Sequence, residues 1–184
     1  MESFDAVVIG GGVIGTSIAC HLARLGATRT LLLERAQLGG GTTAQSSCIL
    51  RTHYSVRENV LLAQAAMRAF DDFPAYLGDE EADCGYRRCG YLIVAPEGAA
   101  ADAVRATLAI ERELGIEARE LDAAEARERH PLLRYDDVAV VGWEPGAGYA
   151  DAYMTLSAYV RAALKAGATV REGVAVTGLV RDPN

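Results

Sequence analysis

Apolar and polar residues follow two periods along this chain, and the period changes at glycines. Val7-Val8-Ile9 is a short apolar run that reads as a strand, and Gly10 to Gly15 interrupts it. Apolar positions then return at helical spacing, with Ala19 and Leu22 on the inner face, until Gly26 stops the helix. Leu31-Leu32-Leu33 is a second strand and ends in Glu34. Farther on, Val60, Ala63, Met67, Phe70 and Phe73 recur at helical spacing, which predicts one helix from Glu58 to Tyr76 with this stripe in the core. Gly78-Asp79-Glu80-Glu81 is a polar break.

The middle of the chain alternates strands with amphipathic helices. Arg87 to Val94 reads as a strand stopped by Pro96, and Ala100 to Leu114 as a helix ended by Gly115. Ala118 to Leu121 is a short extended piece. Asp122 and Glu125 have capping-box spacing before a short helix that Pro131 closes. Val138 to Trp143 is another strand. After the turn at 146–151, Asp151 caps a helix over 152–166 that Gly167 ends. Thr169 to Glu172 and Val174 to Val180 read as strands, and Asp182-Pro183-Asn184 as the middle of a hairpin.

These elements predict an α/β fold: a Rossmann-like βαβ unit with an inserted α+β domain. The expected divisions are 1–79 for the first part of the nucleotide-binding domain, 80–145 for the insertion and 146–184 for the return. Parallel strands are expected near 6–9, 30–34 and 169–172. The first strand of this fold sits centrally, so its far neighbour is expected to lie beyond the chain, making the domain a truncated piece.

The glycine turn carries the first chemistry. Gly10 ends the strand in a tight turn, Gly12 lets the backbone approach a pyrophosphate, and Gly15 lets helix pack on strand. The helix start offers free N–H groups and the positive end of its dipole to phosphates. Glu34 follows Gly15 by 19 residues, the place of an acid that accepts from a ribose hydroxyl. Its charge disfavours a 2′-phosphate and hence NADP, leaving FAD and NAD; Arg35 directly follows it. The stretch Gly39 to Ser47 is dense in backbone amides and hydroxyls and free of bulky side chains. It can lie against a phosphate or a flat ring, and it leads straight into apolar Cys48-Ile49-Leu50, expected to be buried, and then Arg51-Thr52-His53-Tyr54.

Composition narrows the class. The chain has 184 residues, about half of them hydrophobic, and a net charge of −7, which argues against nucleic-acid binding by bulk attraction. The acidic N-terminus and the glycine-broken run behind it predict neither a signal peptide nor a membrane span. Four cysteines are scattered along the chain, and no second pair or nearby histidine completes a zinc site with Cys84 and Cys89, which predicts reduced thiols in a cytoplasmic protein and no metal site.

Taken together, Val8 to Glu34, Gly39 to Tyr54, Gly90 to Pro96 and Gly148 to Glu172 resemble the FAD-dependent amine and amino-acid oxidoreductases. This is the family of D-amino-acid oxidase, sarcosine oxidase (monomeric or β subunit) and dimethylglycine dehydrogenase, and the match corresponds to its N-terminal half. The resemblance implies an FAD contacted by Gly10, Gly12, Val13, Ile14, Gly15, Glu34, Arg35, Gly41, Thr42, Thr43, Ser46, Ser47 and Val174. It implies that Arg51 holds a substrate carboxylate, with His53 and Tyr54 lining the site. Gln45 stands where dimethylglycine dehydrogenases carry a flavin-linked histidine, so the FAD is expected to be non-covalent. Ala150 stands where the heterotetrameric enzyme attaches FMN, so FMN is not expected. Cys48 and Ala44 replace an arginine and a histidine of the monomeric enzymes.

The implied reaction is oxidation of the C–N bond of a secondary or tertiary amino acid (sarcosine-, glycine- or dimethylglycine-like) by hydride transfer to flavin N5. The alternatives are an NAD-linked dehydrogenase, or an inactive nucleotide-binding fragment or subunit. The expected partners are a small amino-acid or amine substrate and either a partner subunit or a missing C-terminal half. Alone, the chain is expected to bind FAD weakly and to turn over little.

Overall fold

A computed structural model describes residues 2–181, so the expected hairpin at Asp182-Pro183-Asn184 lies outside the described residues. The elements are β1 (Ala6–Ile9), α1 (Val13–Arg24), β2 (Thr30–Leu33), β3 (Ile49–Leu50), α2 (Arg57–Asp71), α3 (Phe73–Leu77), β4 (Tyr91–Ala95) and α4 (Ala99–Glu113). Then follow β5 (Arg119–Glu120), α5 (Ala123–Arg129), β6 (Val140–Glu144), β7 (Gly148–Tyr149), α6 (Ala152–Lys165) and β8 (Thr169–Arg171). They form two compact units. One gathers the chain up to Cys48, Asp72–Gly85, and everything from Ala150 on; the other holds Ile49–Asp71 and Tyr86–Tyr149.

In the first unit the three expected parallel strands pair in the order β1-β2-β8, with Ala6 opposite Thr30 and Leu31 opposite Thr169. The run Thr30-Leu31-Leu32 is buried because β2 has a strand on either side, and this is why it reads as continuously apolar. Among the described residues β1 pairs with β2 alone, and its Val7 and Ile9 are exposed. Helix α1 packs on α6 through small residues: Thr16, Ala19, Cys20 and Ala23 on one side, Ala158, Ala162 and Ala163 on the other. Small side chains let the two helices approach closely. Tyr159 adds a T-shaped contact with Phe73, ring centroids 5.6 Å apart. Asp151 caps α6 by accepting from Met154 N–H at 2.8 Å.

Asp79 accepts from Arg161 Nε at 2.7 Å and Lys165 Nζ at 2.9 Å. Together Lys165 and Arg161 hold its carboxyl down to about 2. A lowered acid contributes stability that is present above the unfolded carboxyl value, about 3.9, and lost as pH falls through about 2. Asp79→Asn is therefore expected to lower the thermal midpoint at neutral pH. The gap from wild type should close as pH falls from about 5 to 2 in parallel melts.

Two expected elements differ. The helix expected over 58–76 is two helices. Pro74 has no N–H for residue 70, and its ring would clash with that carbonyl in a continuous helix, so the chain breaks at Asp72. The Asp72 side chain then caps α3, accepting from Ala75 N–H at 3.2 Å. The strand expected over 174–180 is absent. Val174 N–H donates to the Glu34 carbonyl at 2.9 Å, but the segment has no ladder partner among the described residues, and Val176, Leu179 and Val180 are exposed.

The second unit is built on β6, buried along its whole length. The antiparallel sheet runs β4-β6-β5. The segment expected as one strand over 87–94 divides between two partners: Arg87 bridges Tyr149, and only Tyr91–Ala95 joins β6. Alternate β6 residues face opposite clusters. Val140 packs with Ala101, Val104 and Leu108 of α4, while Val141 and Trp143 pack with Leu121, Ala126 and Tyr135. Asp122 caps α5 through Ala124 and Glu125 N–H, but Glu125 pairs with Arg119 and Arg129 instead of closing a capping box. Cys48-Ile49-Leu50 is not buried as expected. Ile49–Leu50 forms a two-stranded ribbon with β7, and such a ribbon leaves Ile49 exposed. No helix among the described residues is long and apolar enough to cross a membrane.

Candidate functional sites

The glycine turn is built as its spacing requires. Gly10 has φ +107°, a conformation that disfavours L side chains, and a Cβ on Gly15 would lie 1.9 Å from the Gly10 carbonyl oxygen. At Gly12 a Cβ would meet only the Thr43 hydroxyl, at 3.1 Å, so the backbone face is open there. Val13 N–H donates to Thr43 Oγ1 at 3.0 Å, leaving the first-turn amides of Ile14 and Gly15 as donors for an anion. No acid sits in the first turn of α1 to oppose one.

Glu34 closes the turn from the other side. One carboxylate oxygen accepts from Gly11 N–H at 2.7 Å and the other from Ala36 N–H at 2.9 Å. The Gly11 amide, then that of Ala36, holds the carboxyl below its ordinary range, so Glu34 is an anion at neutral pH. Each oxygen keeps lone-pair capacity for a hydroxyl donor. Two residues that the sequence reading missed hold this geometry. Gly11 is packed so tightly that a Cβ would lie 2.4 Å from Leu38 Cδ2, and Glu172 accepts from Leu38 N–H at 2.7 Å.

The loop at 39–47 folds back onto the turn. Gly39 N–H donates to the Gly11 carbonyl at 2.9 Å, and Thr42–Gln45 makes a single 3₁₀ turn that delivers the Thr43 hydroxyl to α1. Gly41, Thr42, Ser46 and Ser47 are exposed on this loop, as are Ile14 and Arg35. Ser46 Oγ accepts from Cys48 N–H at 3.0 Å. The structure thus brings Gly10, Gly12, Val13, Gly15, Glu34 and Thr43 together, and Val174 joins them through the Glu34 carbonyl. Thr43→Val should lose about 1 kcal/mol of stability with the cap. It should also weaken FAD binding several-fold; chemical denaturation and a flavin fluorescence titration measure both.

An adenine dinucleotide fits this donor set. Amides at a helix start would face its phosphates, a glycine face would admit close approach, and a carboxylate could accept from its ribose. Gly10, Gly12, Ile14, Gly15 and Glu34 would hold it, with Val13 and Thr43 bonded to each other beside them.

Arg51, His53 and Tyr54 belong to the second unit. Arg51 is half-buried and, among the described residues, has no acidic partner. Its Nη1 donates to the main-chain carbonyl of His53, and its guanidinium carbon lies 4.7 Å from the centroid of Tyr54 and 5.2 Å from that of Tyr91. Aromatic faces stabilise the cation and restrict the orientation of its planar fork while leaving its outer N–H groups for an anion. His53 turns inward, with Nδ1 3.0 Å from Glu111 Oε2. Tyr54 is exposed. Two buried acids went unnoticed in the sequence, Glu111 and Glu144, and both bond to Thr52. One signal was available. Glu111 occupies a stripe position of α4 after Ala101, Val104 and Leu108.

The family model described as FAD dependent oxidoreductase matches residues 5–184. The chain is 32% identical to mouse (Mus musculus) mitochondrial sarcosine dehydrogenase over 176 residues, covering 95% of this chain and 19% of that protein. It is 28% identical to the sarcosine oxidase subunit beta of an Arthrobacter species, covering 98% and 45%. Among solved structures, L-proline dehydrogenase from P. horikoshii superposes with a TM-score of 0.88 at 24% identity, over 99% of this chain and 47% of that one, which is a likeness of fold. The chain therefore spans less than half the length of each.

Proposed function

The chain belongs to the FAD-dependent oxidoreductase family, and from that premise we propose that it serves an enzyme oxidising the C–N bond of a small N-methylated amino acid. The substrate class is sarcosine or dimethylglycine, with glycine as its unmethylated counterpart. The observation that carries this reading is Arg51, a cation beside two aromatic rings with no acidic partner among the described residues. A planar guanidinium grips a carboxylate bidentately, and such charge-assisted bonds are the strong ones. Bound FAD supplies a two-electron acceptor at its ring system. Arg51 fixes the substrate carboxylate so that a carbon next to nitrogen is presented for hydride removal; positioning, rather than acid–base chemistry, is what this chain contributes. Water then hydrolyses the resulting imine to an aldehyde and an amine.

At the glycine turn, the amides of Ile14 and Gly15 and the Glu34 carboxylate hold the ADP end, without a covalent link. One relative is a beta subunit, so a partner subunit is part of the proposal, as is the insertion's role as the substrate-binding part. A cytoplasmic location remains the expectation, although the mouse relative is named mitochondrial. The test is aldehyde release from sarcosine, dimethylglycine and glycine with FAD present and no nicotinamide added. Release with at least one of them supports the reading. Turnover that requires NAD would favour a nicotinamide-linked dehydrogenase instead.

A further inference from the structure

Two carboxyl groups are buried in the second unit, and among the described residues neither pairs with a lysine or arginine. Glu111 is 0% exposed and Glu144 2%. They arrive there by register. Glu144 ends the β6 face that begins at Val140 and looks onto α4, and Glu111 ends the α4 stripe that looks back. Thr52 stands between them. Its Oγ1 is 2.6 Å from Glu144 Oε1 and 3.2 Å from Glu111 Oε1, and its N–H donates to Glu144 Oε1 at 2.8 Å. His53 Nδ1 contacts the other oxygen of Glu111 at 3.0 Å. Glu144 Oε2 is buried with no hydrogen-bond partner among the described residues.

The hydrogen count decides the protonation. A threonine hydroxyl has one hydrogen and two carboxyl groups contact its oxygen. If both acids were ionised, one contact would set two acceptors against each other without a hydrogen. A single proton on one acid resolves it: one carboxyl O–H donates to Thr52 Oγ1, and the Thr52 hydroxyl donates to the other acid. The orphaned Oε2 places that proton on Glu144, because an unpaired neutral carbonyl oxygen costs far less than an unpaired anionic one. Burial, with the negative Glu111 as a smaller influence, raises the Glu144 carboxyl in the same sense. The Thr52 hydroxyl then donates to Glu111 Oε1, and His53 Nδ1 contacts Glu111 Oε2. Two phenols also face Glu144: Tyr91, opposite it in the β4–β6 ladder, and Tyr86, whose O–H donates to the Gly146 carbonyl at 2.5 Å.

We propose that Glu144, Thr52, Glu111 and His53 form a one-proton hydrogen-bond chain that positions Arg51. The link is covalent and short. Thr52 is pinned by its amide and its hydroxyl, His53 by its ring, and the His53 carbonyl accepts Arg51 Nη1. The guanidinium is thereby oriented by acids that never touch it and stays free for a ligand carboxylate. Thr52, Glu111 and Glu144 are positioning residues, and this inference rests on the reading of Arg51 as the carboxylate clamp.

Two readouts test it on the whole chain: the infrared C=O band of a protonated carboxyl at neutral pH, and acetate affinity by NMR titration. The band is expected in wild type and in the exposed control Glu97→Gln, and is expected to vanish in Glu144→Gln. Thr52→Val should weaken acetate binding about tenfold, and Thr52→Ser should restore it. Absence of the band, or its persistence in Glu144→Gln, overturns the proton assignment without any need for the threonine variants to fold. Acetate affinity within twofold of wild type in Thr52→Val, while Arg51→Met abolishes binding, overturns the positioning role and leaves the clamp intact. Unchanged affinity in Arg51→Met overturns the clamp itself, and with it the positioning, even if the band behaves as expected.

Discussion

Gly15→Ala is expected to weaken FAD binding by at least about a hundredfold and to destabilise the fold by about 1–3 kcal/mol. The added methyl would sit 1.9 Å from the Gly10 carbonyl oxygen, and that oxygen belongs to backbone, which cannot swing aside. Relief requires α1 to move away from β1. The Ile14 and Gly15 amides move with it, out of line with any phosphate they would bind. Gly146→Ala, where the same methyl meets open space, serves as the control and should leave both quantities unchanged. A flavin fluorescence titration and a denaturant melt measure the two effects. FAD affinity within threefold of wild type in Gly15→Ala would mean that the cofactor does not depend on this turn.

Arg51→Met is expected to weaken carboxylate-bearing substrates by roughly ten- to a hundredfold. A hydrogen bond to a charged group contributes about 1.5–3 kcal/mol, and each 1.4 kcal/mol is a factor of ten. Arg51→Lys should recover only part of this. An ammonium keeps the charge but loses the planar fork and the stacking on Tyr54 and Tyr91. The discriminating comparison is sarcosine against dimethylamine, which lacks the carboxylate. The loss should appear in KM for sarcosine and be absent for the plain amine. Equal losses for both would place Arg51 in the fold rather than in substrate binding.

Much of the first unit was legible because its determinants are local. Gly10, Gly12 and Gly15 announce the turn by spacing alone, and Asp122 and Asp151 announce the starts of α5 and α6 by standing before apolar-periodic runs. The break between α2 and α3 was written in the sequence as Pro74. The Phe70–Phe73 spacing continues the apolar stripe across the break, however, and the stripe masked it. The segment 174–180 shows the opposite failure. Its alternating valines are what a strand needs, but a strand also needs a ladder partner, and pairing is not a property of the segment.

The sites divide in the same way. Glu34 was identifiable from its distance to Gly15, whereas Gly11 was not, because what crowds it is Leu38 and Glu34, brought back by the chain's return. The role of Thr43 as a cap for Val13 likewise depends on a loop thirty residues away. Arg51 stood out as a charge after an apolar stretch. Its lack of an acidic partner is visible only in three dimensions, and so is the inward turn of His53 toward Glu111. A buried acid is hard to read from one sequence, since glutamate on a helix is ordinarily a solvated face.

The most direct test of the account is anaerobic addition of sarcosine to the FAD-loaded protein, in its longest natural form, while the flavin absorption is followed. Bleaching without any nicotinamide is predicted, together with its loss in Arg51→Met at the same sarcosine concentration. An FAD-loaded protein whose absorption is unmoved by sarcosine, dimethylglycine and glycine alike would contradict it.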